Sequence, residues 1–229
     1  MTGTIINAAS IAVAGFIGLL ISRGIAENVS KSIQDGLGLL VFIIGVQYAF
    51  KADNLAIIGF SLALGALLGE WWQWEHKLEV LGTKVQNLFS SRESDFVKGF
   101  VSASLLFCVG AMGIVGALED GLTGNYEILL VKSMLDGIFS IIFAASMGVG
   151  VLFSSIPVLI YQGAISLGAS FIKPLISDPT LNNITALGGI LIAALGLNLL
   201  GLTRIRVANL LPGLIIIPFI VLLFQLLPY

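Results

Sequence analysis

Apolar residues fill this chain in long runs, and polar residues interrupt them at spacings that suit membrane crossing. Residues 3–22, 99–118, 137–172, 179–203 and 207–229 contain no Asp, Glu, Lys or Arg. A membrane helix needs about 20 mostly apolar residues. The window 137–172 is too long for one span. Ser154-Ser155-Ile156-Pro157 sits inside it and reads as a tight turn, with the proline near the start of the following helix. The windows 36–50 and 54–69 are short and need extending at one end. The pattern therefore predicts an all-α, polytopic membrane helix bundle with spans at 3–22, 32–50, 54–72, 97–118, 128–151, 155–174, 184–203 and 208–227. The first span lacks a basic stretch ahead of it and an evident small-residue cleavage site, so it reads as a span and not a leader.

Between the third and fourth spans the period changes. Trp71, Trp74, Leu78, Leu81, Val85 and Leu88 recur at spacings of three and four, with Glu75, Lys77, Glu79 and Lys84 elsewhere on the wheel. This predicts an amphipathic linker helix over 73–95, lying in the inner membrane interface. His76 beside it reads as solvated, and Cys108 as a small packing residue.

Composition supports this picture and removes others. Of 229 residues, 57% are hydrophobic and 10% charged, against about 25% charged in soluble domains. An ordinary water-soluble enzyme is excluded. A net charge of −2 gives no basic excess for nucleic acid. One cysteine and one histidine argue against a disulfide framework, a metal site built on them or a catalytic triad. There is no GxxxxGK[ST] or HExxH motif, so the chain reads as a non-enzyme that needs no cofactor. The expected partners are the lipid bilayer and a small ion or solute. Glycine faces and the linker helix also offer contacts for a homo-oligomer.

Loop charge sets orientation. Arg23, Lys31, Lys77, Lys84, Arg92, Lys98, Arg204 and Arg206 collect on one side, and Lys51, Lys132 and Lys173 on the other. The first side is expected to be cytoplasmic, with both termini outside. Trp71, Trp72 and Trp74 fit an interfacial anchor there.

Lys31-Ser32-Ile33-Gln34-Asp35-Gly36 recurs as Lys132-Ser133-Met134-Leu135-Asp136-Gly137, an offset of 101 that also maps Phe42 onto Phe143 and Gly15 onto Gly116. Each copy starts the second helix of a three-span set. Consecutive odd-numbered repeats must have opposite orientation, so the single membrane domain 1–229 reads as a 3+3 inverted repeat. Its parts are 3–72 and 97–174, joined by 73–95 and followed by a hairpin at 184–228. Transporters commonly use this plan, with sites near the midplane at the repeat interface.

Asp35 and Asp136 are the sharpest candidates for ion binding. Asp136 lies about 12 Å along its helix from residue 128, and a carboxylate at that depth needs a cavity, a cation or a partner. Lys31 and Lys132, four residues earlier, could instead neutralise each. Gly36 and Gly137 suit close packing, and Ser133 adjoins Lys132. Asn7, Gln47, Gln162, Asn198 and Asn209 are uncharged polar residues within spans. They suit either interhelical hydrogen bonds or amide oxygens for an ion, and Asn7, Asn198 and Asn209 are the ones placed in the site. Pro212 and Gly213 follow Asn209 early in the last span, where proline frees a carbonyl. Glu119-Asp120-Gly121-Leu122-Thr123-Gly124-Asn125 reads as a solvated outer turn. Gly110, Gly113 and Gly116 in one span and Gly65 and Gly69 in another suit close helix packing.

Cys108-Val109-Gly110-Ala111-Met112-Gly113-Ile114-Val115-Gly116, the stretch Asp120-Gly121-Leu122-Thr123-Gly124, Lys132-Ser133, Asp136-Gly137, Asn7 and Val207-Ala208-Asn209-Leu210-Leu211-Pro212 together resemble the YqgA/YdfK family of bacterial inner-membrane proteins. The resemblance spans essentially the whole chain and implies a multi-pass protein of the bacterial cytoplasmic membrane. The family has no assigned function. From the residues, the leading reading is a transporter of a small ion or small polar solute, coupled to H⁺ or Na⁺, working by alternating access. The alternatives are a passive cation channel and a non-transporting assembly or regulatory protein.

Overall fold

The computed structural model describes residues 1–22, 27–77, 80, 83–84, 96–108 and 111–226. The labelled helices are α1 (Thr2–Ser22), α2 (Glu27–Ala49), α3 (Leu55–Trp72), α4 (Phe96–Cys108), α5 (Ala111–Leu122), α6 (Glu127–Met147), α7 (Ser155–Leu167), α8 (Asp178–Leu199) and α9 (Pro212–Leu226). Short helical turns at Gly150–Phe153, Ala169–Ile172, Lys173–Leu175 and Val207–Leu210 join them. Among the described residues, seven stretches are long and apolar enough to cross a membrane. The bent pair α4 and α5 brings the number to eight if it counts as one span.

The large exposed side chains are apolar along most helices. On α1 they include Ile5, Val13, Phe16, Ile17, Leu20 and Ile21. An outer surface of this kind suits lipid, which solvates apolar side chains and leaves backbone polar groups to the helices. Trp71 is exposed and Trp72 stacks near Trp74, with ring centroids 6.4 Å apart.

The chain forms two compact units. The first comprises Met1–Leu37 and Glu79–Lys173. In it α1 and α6 lie side by side and parallel, Gly3 meeting Leu129, Ser10 the Ser133 carbonyl, and Gly18 Ile141 and Ala144. Small residues let the backbones approach. A methyl group on Gly137 would come 2.7 Å from Ser10 Oγ. Gly36, the equivalent position in the other copy, has nothing within 4 Å, so the packing expected of it does not occur among the described residues.

The second unit comprises Gly38–Leu78 and Pro174–Tyr229. Here α2 and α8 cross antiparallel on four glycines. Gly38 and Gly45 face Gly196 and Gly189 so closely that an added Cβ would strike opposing backbone or side chains. The seven-residue spacing on both helices repeats the contact every two turns. Gly65 and Gly69 of α3 abut the backbone of Gly213 and Asn209, as close packing predicts.

Several boundaries differ from the sequence reading. The tight turn falls at Gly148-Val149, where Gly148 takes φ 80°, a value glycine adopts without a Cβ penalty. Ser154 is the joint between the Gly150–Phe153 turn and α7 with right-handed helical dihedrals, its Oγ donates to the Val151 carbonyl, and Pro157 sits within the first turn of α7. Helix α8, the seventh expected span, begins at Asp178, because Ser177 caps it and Pro179 occupies its first turn. Pro212 starts α9 after the Val207–Leu210 turn and does not kink a continuous helix.

Of the expected linker helix, Trp74–Lys77 and residues 80, 83 and 84 are helical. Leu78, Glu79, Leu81, Val85 and Leu88 lie outside the described residues, as do Arg23, Arg92 and Gly110.

Candidate functional site

One buried ion pair of the first unit lies along α6. Lys132 and Asp136 are four residues apart and so share one face. Lys132 Nζ lies 2.6 Å from Asp136 Oδ2, and both side chains are about nine-tenths buried. An ionised pair at such depth needs further partners. Asn7 of α1 supplies one, with Nδ2 donating to Asp136 Oδ2 at 3.0 Å and to Gln162 Oε1 of α7 at 3.3 Å. Asn7 and Gln162 are both 0% exposed.

The carboxylate dictates the orientation of both amides. Ionised Asp136 only accepts, so Asn7 must turn its NH₂ toward it. That same NH₂ then requires the oxygen of Gln162. Asn7 Oδ1, an acceptor, and Gln162 Nε2, a donor, are left buried with no hydrogen-bond partner. Unpaired buried amide atoms are uncommon and costly.

A helix break stands beside this cluster. The axes of α4 and α5 differ by 63°. A methyl group on Gly113, in the first turn of α5, would lie 3.4 Å from Lys132 Cε, 3.7 Å from Gln162 Nε2 and 3.8 Å from the Cys108 carbonyl oxygen. The polar seam continues along the same helices. Thr4 Oγ1, Ser140 Oγ and Ser166 Oγ are also buried without hydrogen-bond partners. Ser133 is buried, and its hydroxyl donates to the Leu130 carbonyl.

Asp120, read from sequence as part of a solvated turn, is 4% exposed. Its Oδ1 lies 2.9 Å from the Met1 amino group, and its Oδ2 accepts from Thr4 N. The start of α1 covers it.

Other candidates are not brought into this cluster. Asp35 pairs with Lys31 at 2.9 Å on the open face of α2, both side chains well exposed. The two copies of the repeated hexapeptide thus hold the same i, i+4 pair, one buried and one open. Asn198 and Asn209 belong to the second unit. Asn198 ties down the following loop, donating to the Ile205 carbonyl and accepting from Ile205 N and Thr203 Oγ1. Asn209 Oδ1 accepts from Glu75 N while Glu75 Oε2 accepts from Ala208 N. Near this pair, Arg206 bridges to Glu70 at 2.8 Å. The bonds at Asn198 and Asn209 hold loops in place. Sequence reading singled out Gln162 as a polar residue within a span but left it out of the site. Its burial beside Asn7 puts it there.

No group of three or more His, Cys, Asp or Glu residues suited to a metal occurs among the described residues.

The fold and this centre define a polytopic α-helical membrane protein with an ion pair buried among its helices. The chain belongs to the family described as "Protein of unknown function (DUF554)", which matches residues 2–222. It is 36% identical over 219 residues to "Uncharacterized protein YqgA" of Escherichia coli (strain K12), covering 93% of each chain. It is 34% identical over 225 residues to "Uncharacterized membrane protein YdfK" of Bacillus subtilis (strain 168), covering 96% of each. No solved structure matches it.

Proposed function

We propose that this protein transports a small ion or small polar solute across the bacterial cytoplasmic membrane, linked to proton movement, with its site at Asn7, Lys132, Asp136 and Gln162. The observation that carries the reading is the buried Lys132–Asp136 pair flanked by two unpaired amide atoms. A purely structural pair gains by having every neighbouring polar atom satisfied. Here a donor and an acceptor are held ready beside a broken span. Broken helices frame solute sites in many transporters. Lys132 already supplies the positive charge at Asp136 that a sodium ion would bring, which favours a proton as the coupling ion.

Two further features support the reading. Asn7 comes from the first three-span set, whereas Lys132, Asp136 and Gln162 come from the second. A site drawing on both sets is what alternating access between inverted repeats requires. In addition, α1 and α6 run parallel. With α2 and α3 each crossing once, parallel packing needs α4 and α5 to cross together as one bent span. That supports eight spans, which put both termini on the same side of the membrane; the loop charges are what make that side the outside.

The test is flux in proteoliposomes that enclose a pH-sensitive dye, run against a panel of small solutes. Wild-type protein is expected to move protons with at least one solute. Asp136→Asn is expected to fall to the level of empty vesicles, while Asp35→Asn keeps wild-type flux. Equal flux through Asp136→Asn would remove the site from this reading.

A further inference from the structure

We infer that the solute bound at this centre is a small monovalent anion of the carboxylate or nitrate kind, held between Gln162, Lys132 and the first turn of α5. The inference deepens the proposed function and rests on its reading of this cluster as a solute site.

Gln162 Nε2 carries two N–H groups, is wholly buried and has no hydrogen-bond partner. Such a donor calls for an oxygen or an anion. The ionised Asp136 fixes this through Asn7, because each amide must turn its other end to the bond that the carboxylate demands. A Cβ on Gly113 would lie 3.7 Å from Gln162 Nε2 and 3.4 Å from Lys132 Cε, so both side chains approach α5 where the glycine leaves room for a methyl group. Gly113 lies in the first turn of α5, whose leading N–H groups have no partner within their own helix. Half-helix starts of this kind receive anionic solute groups in transporters. The Lys132 side chain, an unpaired amide donor and a helix start thus meet beside Gly113.

The Cys108 carbonyl, 3.8 Å from a methyl at Gly113, is an acceptor at this edge. It restricts the ligand to something small that can turn an edge away, or that carries a hydrogen to donate.

Charge balance links this ligand to the proton. Lys132 and Asp136 together are neutral, so an anion adds one uncompensated charge in a buried place. A proton taken up by Asp136 as the anion enters restores neutrality, while the unprotonated oxygen of the carboxyl still accepts from Asn7, and one anion and one proton then travel together. Lys132 on α6 is the charged group bearing on Asp136, and Cys108 at the end of α4 is the other titratable one. Asn7 on α1 and Gln162 on α7 do not titrate.

The experiment uses the full chain in lipid nanodiscs. Calorimetric titration and thermal unfolding are followed with sodium formate, acetate and nitrate, and with sodium gluconate as a bulky anion at equal sodium. At least one small anion is expected to bind saturably and raise the unfolding temperature, with gluconate inert. Gly113→Ala has room to fold, since its nearest new contact is 3.4 Å, and alanine suits a helix better than glycine. It is expected to melt at or above the wild-type temperature yet bind about tenfold more weakly or worse. Gln162→Leu, losing the donor, is expected to weaken binding by about tenfold as well. An equal response to gluconate, or unchanged affinity in Gly113→Ala, would overturn the anion assignment. Anion binding without any flux would leave this inference standing and refute transport. Flux of a cation or neutral solute without anion binding would do the reverse.

Discussion

Lys132→Met is expected to destabilise the protein by about 3–5 kcal/mol, because it strands Asp136 as a buried, uncompensated charge. Asp136 would keep only the Asn7 amide as partner. Replacing both residues, as Lys132→Met with Asp136→Leu, removes the charge as well as its partner. Most of the lost stability is expected to return, since buried ion pairs contribute little net stability over apolar packing. Denaturant or thermal unfolding in a fixed detergent measures all four corners of this cycle. Flux is expected to be lost in both variants. A pair retained only for stability would show a double variant at least as impaired as the single one. The equivalent Lys31→Met, on an exposed pair, is expected to cost no more than about 1 kcal/mol.

Gly189→Leu is expected to cost roughly 3 kcal/mol or more, at or beyond the usual limit for overpacking. A Cβ on Gly189 would already come within 2.5 Å of Ala49 N, 2.6 Å of the Gly45 carbonyl and 2.7 Å of Tyr48 Cβ. Two of these atoms are backbone, so no rotamer change relieves them. The leucine side chain must push α2 and α8 apart, which loses the glycine crossing along both helices. Gly36→Ala on the same α2 meets nothing within 4 Å and is expected to be neutral or stabilising by up to about 1 kcal/mol. Unfolding of the two variants in the same detergent separates a packing glycine from an incidental one. Similar melting of both would contradict the crossing.

Much of the architecture was legible because membrane spans announce themselves by length and by absence of charge. Seven of the eight predicted spans overlap helical stretches long and apolar enough to cross a membrane, and the fourth overlaps the bent pair α4 and α5. The break between α4 and α5 was hidden, since Cys108-Val109-Gly110-Ala111 contains no proline and lies inside a charge-free window. The glycine crossing of α2 and α8 was present as a seven-residue spacing but not as the GxxxG pattern that draws attention.

The candidate site shows where sequence stops. Lys31–Asp35 and Lys132–Asp136 share one spacing in hexapeptides identical at four of six positions; depth along the span favours Asp136, and the packing of α1 and α7 is what buries it. Asp120 stood in a run of turn residues, and the start of α1 covers it. Asn198 and Asn209 carry the same amide as Asn7, yet Asn198 bonds the following loop through both amide atoms and Asn209 Oδ1 accepts from Glu75 N. Asn7 meets the side chains of two other helices and keeps an oxygen free. Burial by distant helices, not residue type, separates these cases.

The most direct measurement of the central claim is an experimental density map of the protein in lipid nanodiscs, with and without saturating formate. A solute site at the buried pair predicts non-protein density in the formate map within hydrogen-bond distance of Gln162 Nε2, between Lys132 and the first turn of α5. Dry apolar contact around Gly113, with Gln162 Nε2 bonded to protein and no added density in either map, would contradict it.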